Sequence, residues 1–295
     1  MRLLHGRPLA EGVNARTRIR VAALVARKIQ PRLDVVSVGI DPAASAYQDH
    51  LRRSGEQLGI DVRAVALTPG AVEDEVGSKL RMSSADRSVH GILLLTPLPA
   101  PLDESRLVDV ITQAKDVEGV HPRSAGLLAA GRPHFVPSTA EGVIELLKFH
   151  KVPLRGQNAV VVGRSSVVGR PAAALLLKED ATVTIAHSQT PDIAALTRGA
   201  AIVVIAIGKV GFLTGDMLSP GATVIDAGIN VTPSGLQGDV DVESVTPVAG
   251  ALSPVPGGLG AVTTALLLRN VVTATEEQNE RRTVPRGTPS AGRGV

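Results

Sequence analysis

The sequence predicts an α/β protein built from two parallel-sheet domains. Three observations carry that reading. Short runs rich in Val, Ile and Leu alternate with helix-length amphipathic stretches, the pattern of parallel strands joined by crossover helices. The series occurs twice, once before Pro137 and once after it. The chain has 295 residues, 44% of them hydrophobic, which is room for one large domain or two ordinary ones. With one Tyr, three Phe and no Trp, the core must be made of Val, Leu, Ile and Ala.

In the first series, "NARTRIRVAALVARKI" predicts an amphipathic helix with Ile19, Ala22, Ala23 and Val25 on its apolar side. "RLDVVSVGI" follows as a Val-rich strand. "DPAASAYQDHLRRSGEQLGI" is loop, helix and a Gly59 stop. "DVRAVAL" is a second strand, "TPGAVEDEVGSKLRMSSAD" a second helix, and "VHGILLLTPLP" a buried strand ending in prolines. In the second series "PSTAEGVIELLKFH" is a helix, and "QNAVVVGRSSVVGRPAAALLLKE" is strand, turn and helix. "ATVTIAHS", "AAIVVIAIG" and "GATVIDAGIN" are strands, with "TPDIAALTRG" a helix between the first two. "LGAVTTALLLRNVVTAT" closes the fold as a long helix. From about Glu276 the chain turns polar and rich in Gly, Pro and Arg, and a disordered tail is expected there.

The net charge is +3 and no basic stripe interleaves with aromatics, which argues against a nucleic-acid partner. The chain has no cysteine, so disulfides, thiolate catalysis and Cys-based metal sites are excluded. No His and carboxylate cluster has metal-ligand spacing, and no metal is expected. "MRLLHGRPLAEG" lacks the apolar core of a signal peptide, and the longest apolar run is far short of a membrane span. A soluble, cytoplasmic protein with no membrane partner is the expectation.

"AVVVGRSSVVGRP" sets a strand, a Gly-bounded turn and a helix start in order. Gly163 permits the tight turn, Gly169 lets the helix pack close to the sheet, and N–H groups at the helix start can hold a pyrophosphate. The spacing departs from the usual dinucleotide fingerprint, so an ordinary glycine turn is the competing reading. The next strand ends in "IAHSQT", where an NAD site would place an acid. A serine and an arginine, Ser188 and Arg164, suit a 2′-phosphate instead, pointing to NADP. Capping of the following helix by His187 and Ser188 is the alternative.

Read together, "VPSTAEGVIELL", "VVVGRSSVVGRPAAALLL", "VTIAHSQT", "VIAIGKVGFLTGDMLSPGATVIDAGIN", "GDVD" and "SPVPGGLGAVTTALLL" resemble the bifunctional methylenetetrahydrofolate dehydrogenase/methenyltetrahydrofolate cyclohydrolase family. The likeness runs from about His5 to Thr275. It implies an N-terminal parallel-sheet catalytic domain (residues 1–138 plus about 264–276) and a Rossmann-type NADP-binding domain (139–263), with residues 277–295 as the tail. It further implies folate in the cleft between them and a homodimer. Carried over by position, Gly163, Arg164, Ser165, Ser188 and Ile229 would contact NADP, while Pro254, Gly257 and Gly258 would line the cleft.

The same resemblance exposes three departures. The family tyrosine is present as Tyr47, but the lysine four residues on is Leu51. The glutamine at the end of the proline-flanked strand is Leu95. The aspartate that grips the pterin ring is Glu118. Hydride loss from a methylene carbon held between two folate nitrogens demands positioning above all. Water addition to the methenyl product moves protons and needs a polar group near the carbon, help worth about 10²–10⁴ in rate. Leucine can neither donate nor accept, so dehydrogenation is expected to survive and cyclohydrolase activity to be weak or lost. His50, three residues from Tyr47, is a candidate substitute for the lysine, with a solvated surface histidine as the plainer reading. Two other functions stay open: a relative acting on another small substrate, and a non-catalytic NADP-binding dimer.

Overall fold

The computed structural model describes residues 1–39 and 42–283. The first half runs β1 (Arg2–Leu3), α1 (Arg7–Ala26), β2 (Arg32–Val38), α2 (Pro42–Leu58), β3 (Asp61–Leu67), α3 (Glu73–Ala85) and β4 (Gly91–Leu94). Three helices follow: α4 (Glu104–Val108), α5 (Pro122–Ala129) and α6 (Ser138–Phe149). The second half runs β5 (Asn158–Val162), α7 (Gly169–Lys178), β6 (Thr182–Ala186), α8 (Ile193–Arg198), β7 (Ile202–Ile205) and β8 (Thr223–Asp226). The hairpin β9 (Asn230–Thr232) and β10 (Gly235–Gln237), α9 (Val242–Val245), β11 (Ala251–Leu252) and α10 (Leu259–Thr283) complete the chain.

Two sheets result. One has three parallel strands in the order β3-β2-β4, the other six in the order β1-β11-β8-β7-β5-β6, again all parallel. The central strands are covered on both faces, as near-continuous apolar runs require, while the edge strands β3 and β6 keep exposed residues. In β2, Leu33 and Val35 pack toward α10 and α2, while Val36 and Val38 join a separate cluster with α3 residues. In β5, Ala159 and Val161 face one layer, and Val160 and Val162 the other. This is the two-residue alternation of a strand put to use on both sides. Asp34, buried in β2, is satisfied by the guanidinium of Arg63, at 2.9 Å to each oxygen, and by the Ser83 hydroxyl at 2.6 Å.

The structure corrects three expectations. Helix α1 begins at Arg7, and its buried face is Leu9, Ala10, Val13, Thr17, Val21 and Leu24. Ile19 and Val25 are exposed instead, because α1 is only weakly amphipathic and Arg20 turns toward α10 to pair with Glu276. Residues 2–3 do not belong with the first sheet, since their backbone pairs with Ala251 and Leu252. Lastly, α10 starts at Leu259 and continues to Thr283, so residues 277–283 are helical where a tail was expected. The extra turns are held by Gln278, which is buried and donates to the carbonyls of His90 at 2.8 Å and Ala114 at 3.0 Å. The rest of that expected tail, 284–295, lies outside the described residues.

Candidate active site

A cavity of about 390 Å³ lies where both halves of the chain meet. Tyr47 of α2, the segment from Ile92 to Pro97 at the end of β4, and Glu118 line it from the first half of the chain. Ser138 and Thr139 at the start of α6, Val167 of the glycine turn and Thr263 of α10 also line it. This is the carboxyl end of parallel strands, where open α/β sheets bind ligands.

Glu118 is aimed by its loop. Asp116 accepts from the N–H groups of Val120 and His121 and from the Ser124 hydroxyl. Lys115 ties the loop to the Ser83 and Asp86 carbonyls. Gly119 has φ +67°, and a Cβ there would stand 2.5 Å from the Phe135 carbonyl oxygen, so only glycine lets the chain pass that close. Glu118 Oε1 then accepts from the Ser138 N–H at 3.0 Å and hydroxyl at 2.9 Å, while the buried Oε2 has no protein partner. Burial pushes the Glu118 carboxyl up to about 7 against the pull of the Ser138 hydrogen bonds. Burial, and then the Glu118 charge, also raises the Tyr47 phenol.

Leu51 is fully buried and is not among the lining residues. It sits one helical turn from Tyr47 in a cluster with Leu267, Leu268 and Val271 of α10. Leu95 lines the cavity and packs on the same cluster. His50 is exposed and does not line the cavity. His121 accepts the Arg123 N–H as the cap of α5. Among the described residues the lining contains two carboxylic acids, Glu104 and Glu118, and no Lys, Arg or His.

The glycine turn connects β5 to α7 at the point where the strand order reverses. Gly163 has φ +126°, and a Cβ there would meet the Ala206 carbonyl oxygen at 2.3 Å, so the ends of β5 and β7 touch. A Cβ on Gly169 would stand 2.2 Å from the Gly163 oxygen, so α7 packs against the turn itself. The Ser165 hydroxyl accepts the N–H groups of Val168 and Gly169. Arg164 and Ser188 are exposed, as is Ile229 after β8. His187 and Ser188 do not cap α8, whose cap is Asp192. His187 Nδ1 accepts from Gln189 in a local turn. The donor set at the end of β6 therefore suits a phosphate better than a pair of ribose hydroxyls.

The Pro254–Gly258 segment is not among the lining residues. It receives the N-terminal segment: Gly6 donates its N–H to the Gly257 carbonyl at 3.0 Å, and a Cβ on Gly6 would overlap the Gly258 oxygen. It immediately precedes α10.

Two buried acids escaped the sequence reading. Asp239 accepts from the N–H groups of Ile207, Gly208 and Lys209 and from the Asn230 amide, fixing the loop after β7. Asp226 accepts from Gly228, Asp239 and Val240, and burial pushes its carboxyl up to about 6. The glycines of "DAGIN" and "GDVD" were the available signal: Cβ atoms on Gly228 or Gly238 would strike these carboxylates.

The comparisons with known proteins meet this geometry. Residues 4–118 match the catalytic domain of tetrahydrofolate dehydrogenase/cyclohydrolase, and residues 137–279 match its NAD(P)-binding domain. The bifunctional protein FolD of Roseiflexus sp. (strain RS-1) is 49% identical over 278 residues, 94% of this chain and 96% of the relative. The chain belongs to the tetrahydrofolate dehydrogenase/cyclohydrolase family. Among solved members of the family, the bifunctional FolD enzyme of Campylobacter jejuni is 36% identical and superposes with a TM-score of 0.91, covering 94% of this chain and 99% of that one. The Trypanosoma brucei FolD, solved with NADP and an inhibitor, is 32% identical with a TM-score of 0.89, covering 93% and 97%.

As a member of the family the chain is an enzyme with an NAD(P)-binding domain, and Val167 brings the turn of that domain into the cavity that holds Glu118. No described helix is long and apolar enough to cross a membrane. The described residues include no group of three His, Asp or Glu able to hold a metal ion.

Proposed function

We propose that this protein is an NADP-dependent methylenetetrahydrofolate dehydrogenase whose hydrolysis of the methenyl product is weak or lost. The first part rests on family membership and on the shared cavity, whose lining includes both Glu118 and Val167 of the glycine turn. NADP, when bound, supplies the hydride acceptor; Gly163, Arg164, Ser165, Ser188 and Ile229 would hold it. The role of the remaining residues is placement. The free oxygen of Glu118 would accept from the pterin ring, and Tyr47 would flank that ring. The folate nitrogens' own lone pairs expel the hydride, so no side chain has to remove a proton from the reacting carbon.

The single observation that carries the second part is the absence of any Lys, Arg or His among the described lining residues, together with the apolar packing of Leu51 and Leu95. Water addition needs a group that stabilises developing charge and relays a proton, and neither leucine supplies one. Restoring both groups together tests this. The variant L51K/L95Q should raise methenyl hydrolysis by about 10²–10⁴-fold. A folded, folate-binding variant with no gain contradicts the reading. The proposed assembly is a cytoplasmic homodimer, to be checked by light scattering. The exposed apolar side chains of Ile185 on the edge strand β6 and of Val231 and Leu236 on the hairpin favour self-association.

A further inference from the structure

A second cavity, of about 270 Å³, opens at the other end of the three-stranded sheet. It is lined where the strands begin: Arg32 is the first residue of β2, and His90 immediately precedes β4. Asn279 of α10 also lines it. The active-site cavity instead takes Thr263 from α10, sixteen residues earlier, which places the two sites about 24 Å apart along the helix. The second cavity is therefore not an arm of the cleft.

Its lining is cationic and polar. Three cationic side chains, Lys28, Arg32 and Arg87, line it together with the polar Ser88, Gln30 and Asn279, and no carboxylate does. The cations are held in different ways. Arg32 Nε donates to Asp61 at 2.6 Å and its NH1 to the Ser88 hydroxyl at 2.8 Å, so the guanidinium is fixed before any ligand arrives. The nearby Asp86 carboxylate is engaged by the Ser88 N–H and hydroxyl. Lys28 follows α1 with its N–H bonded to the Val25 carbonyl, and it has no carboxylate partner among the described residues. Lysine and arginine side chains together supply the positive charge and N–H donors that phosphate oxygens accept from. The volume suits a small anion, and the lining has no Phe, Tyr or Trp on which a base would stack.

We infer that this cavity is a binding site for a small phosphate-type anion, separate from the dinucleotide and folate sites, with Lys28, Arg32 and Arg87 as its cationic contacts. The site is far from the reacting groups, so its ligand is neither substrate nor cofactor.

Calorimetric titration of the whole protein tests this. Saturating NADP is present throughout, so that the phosphate-binding turn at α7 does not compete. Orthophosphate, inorganic pyrophosphate and AMP are titrated separately. They distinguish a free inorganic anion from a phosphoester as the source. Saturable binding of at least one is expected, at one site per chain. The double variant K28A/R87A, both residues on the surface and outside the catalytic machinery, should weaken it at least about tenfold while leaving NADP affinity unchanged. The single variant R87E gives a second reading in case the double variant folds poorly, and should also lose binding. Absence of binding by all three probes, or equal affinity in wild type and the folded variants, would overturn the inference.

Discussion

The two oxygens of Glu118 have different duties. Oε1 takes the Ser138 N–H and hydroxyl and so fastens the first turn of α6, while Oε2 is left without a partner at the cavity. A shorter aspartate from the same backbone position reaches less far, so the extra methylene lets one side chain serve both ends. Burial raises this carboxyl from an ordinary 4.5 to about 7, which has two consequences. The folded state holds the proton more tightly than the unfolded chain. The associated stability is thus fully present below pH 4.5 and is lost as pH rises through about 7, by about 3 kcal/mol in all. The variant E118Q keeps the shape and cannot titrate. Relative to it, urea denaturation of the wild type should show stability declining between pH 4.5 and 7. In the same interval, kcat/KM for the folate substrate should rise with pH in the wild type as Oε2 becomes a charged acceptor, and should stay flat in E118Q. Parallel profiles for the two proteins would show that Glu118 does not titrate in this window.

The long helix α10 decides how the elements fit together. It packs on α1 and α6, sends Thr263 to the catalytic cavity, and extends to Thr283. Its last turns are polar, and propensity alone gives them no reason to stay wound. What holds them is a side chain bonded across the fold: Gln278 satisfies two carbonyls, of His90 before β4 and of Ala114 in the loop leading to Glu118. Removing that amide takes the Gln278 donor from both carbonyls. Q278A should therefore lose about 1–3 kcal/mol in urea denaturation. A loss below about 0.5 kcal/mol would mean that the last turns are not docked as described.

At the scale of the whole molecule, the strands were legible in the sequence because the central ones are buried on two faces and the edge strand β3 keeps a Val-rich composition. "RLDVVSV", "DVRAVAL" and "NAVVV" read as strands by composition alone, and they are β2, β3 and β5. The glycine turn was legible because close packing leaves room for nothing larger at Gly163 and Gly169. What the sequence hid are contacts made over long separations. The pairing of residues 2–3 with 251–252 involves only two residues per strand, too few for any period to register. The buried face of α1 was misplaced because its arginines are spread around the helix and one of them turns inward. Asp226 at the end of β8 and Asp239 look like ordinary acids until the twelve intervening residues fold back and bury both. In the site, Tyr47, Leu95 and Glu118, far apart in the chain, line one cavity. Leu51 is different: its apolar side chain is drawn into the core beneath the cavity and away from its surface.

With NADP held at the glycine turn as proposed, a cavity lined by Glu118 and by aliphatic side chains such as Leu94 and Leu95 should release hydride readily and handle water poorly. The direct measurement is a progress curve for the purified protein with NADP and methylenetetrahydrofolate, following NADPH and the methenyl compound together. Equal and simultaneous build-up of both, with the methenyl compound decaying only at its spontaneous rate, is the expected result. NADPH formation without methenyl accumulation, or rapid enzymatic opening of added methenyltetrahydrofolate, would contradict it.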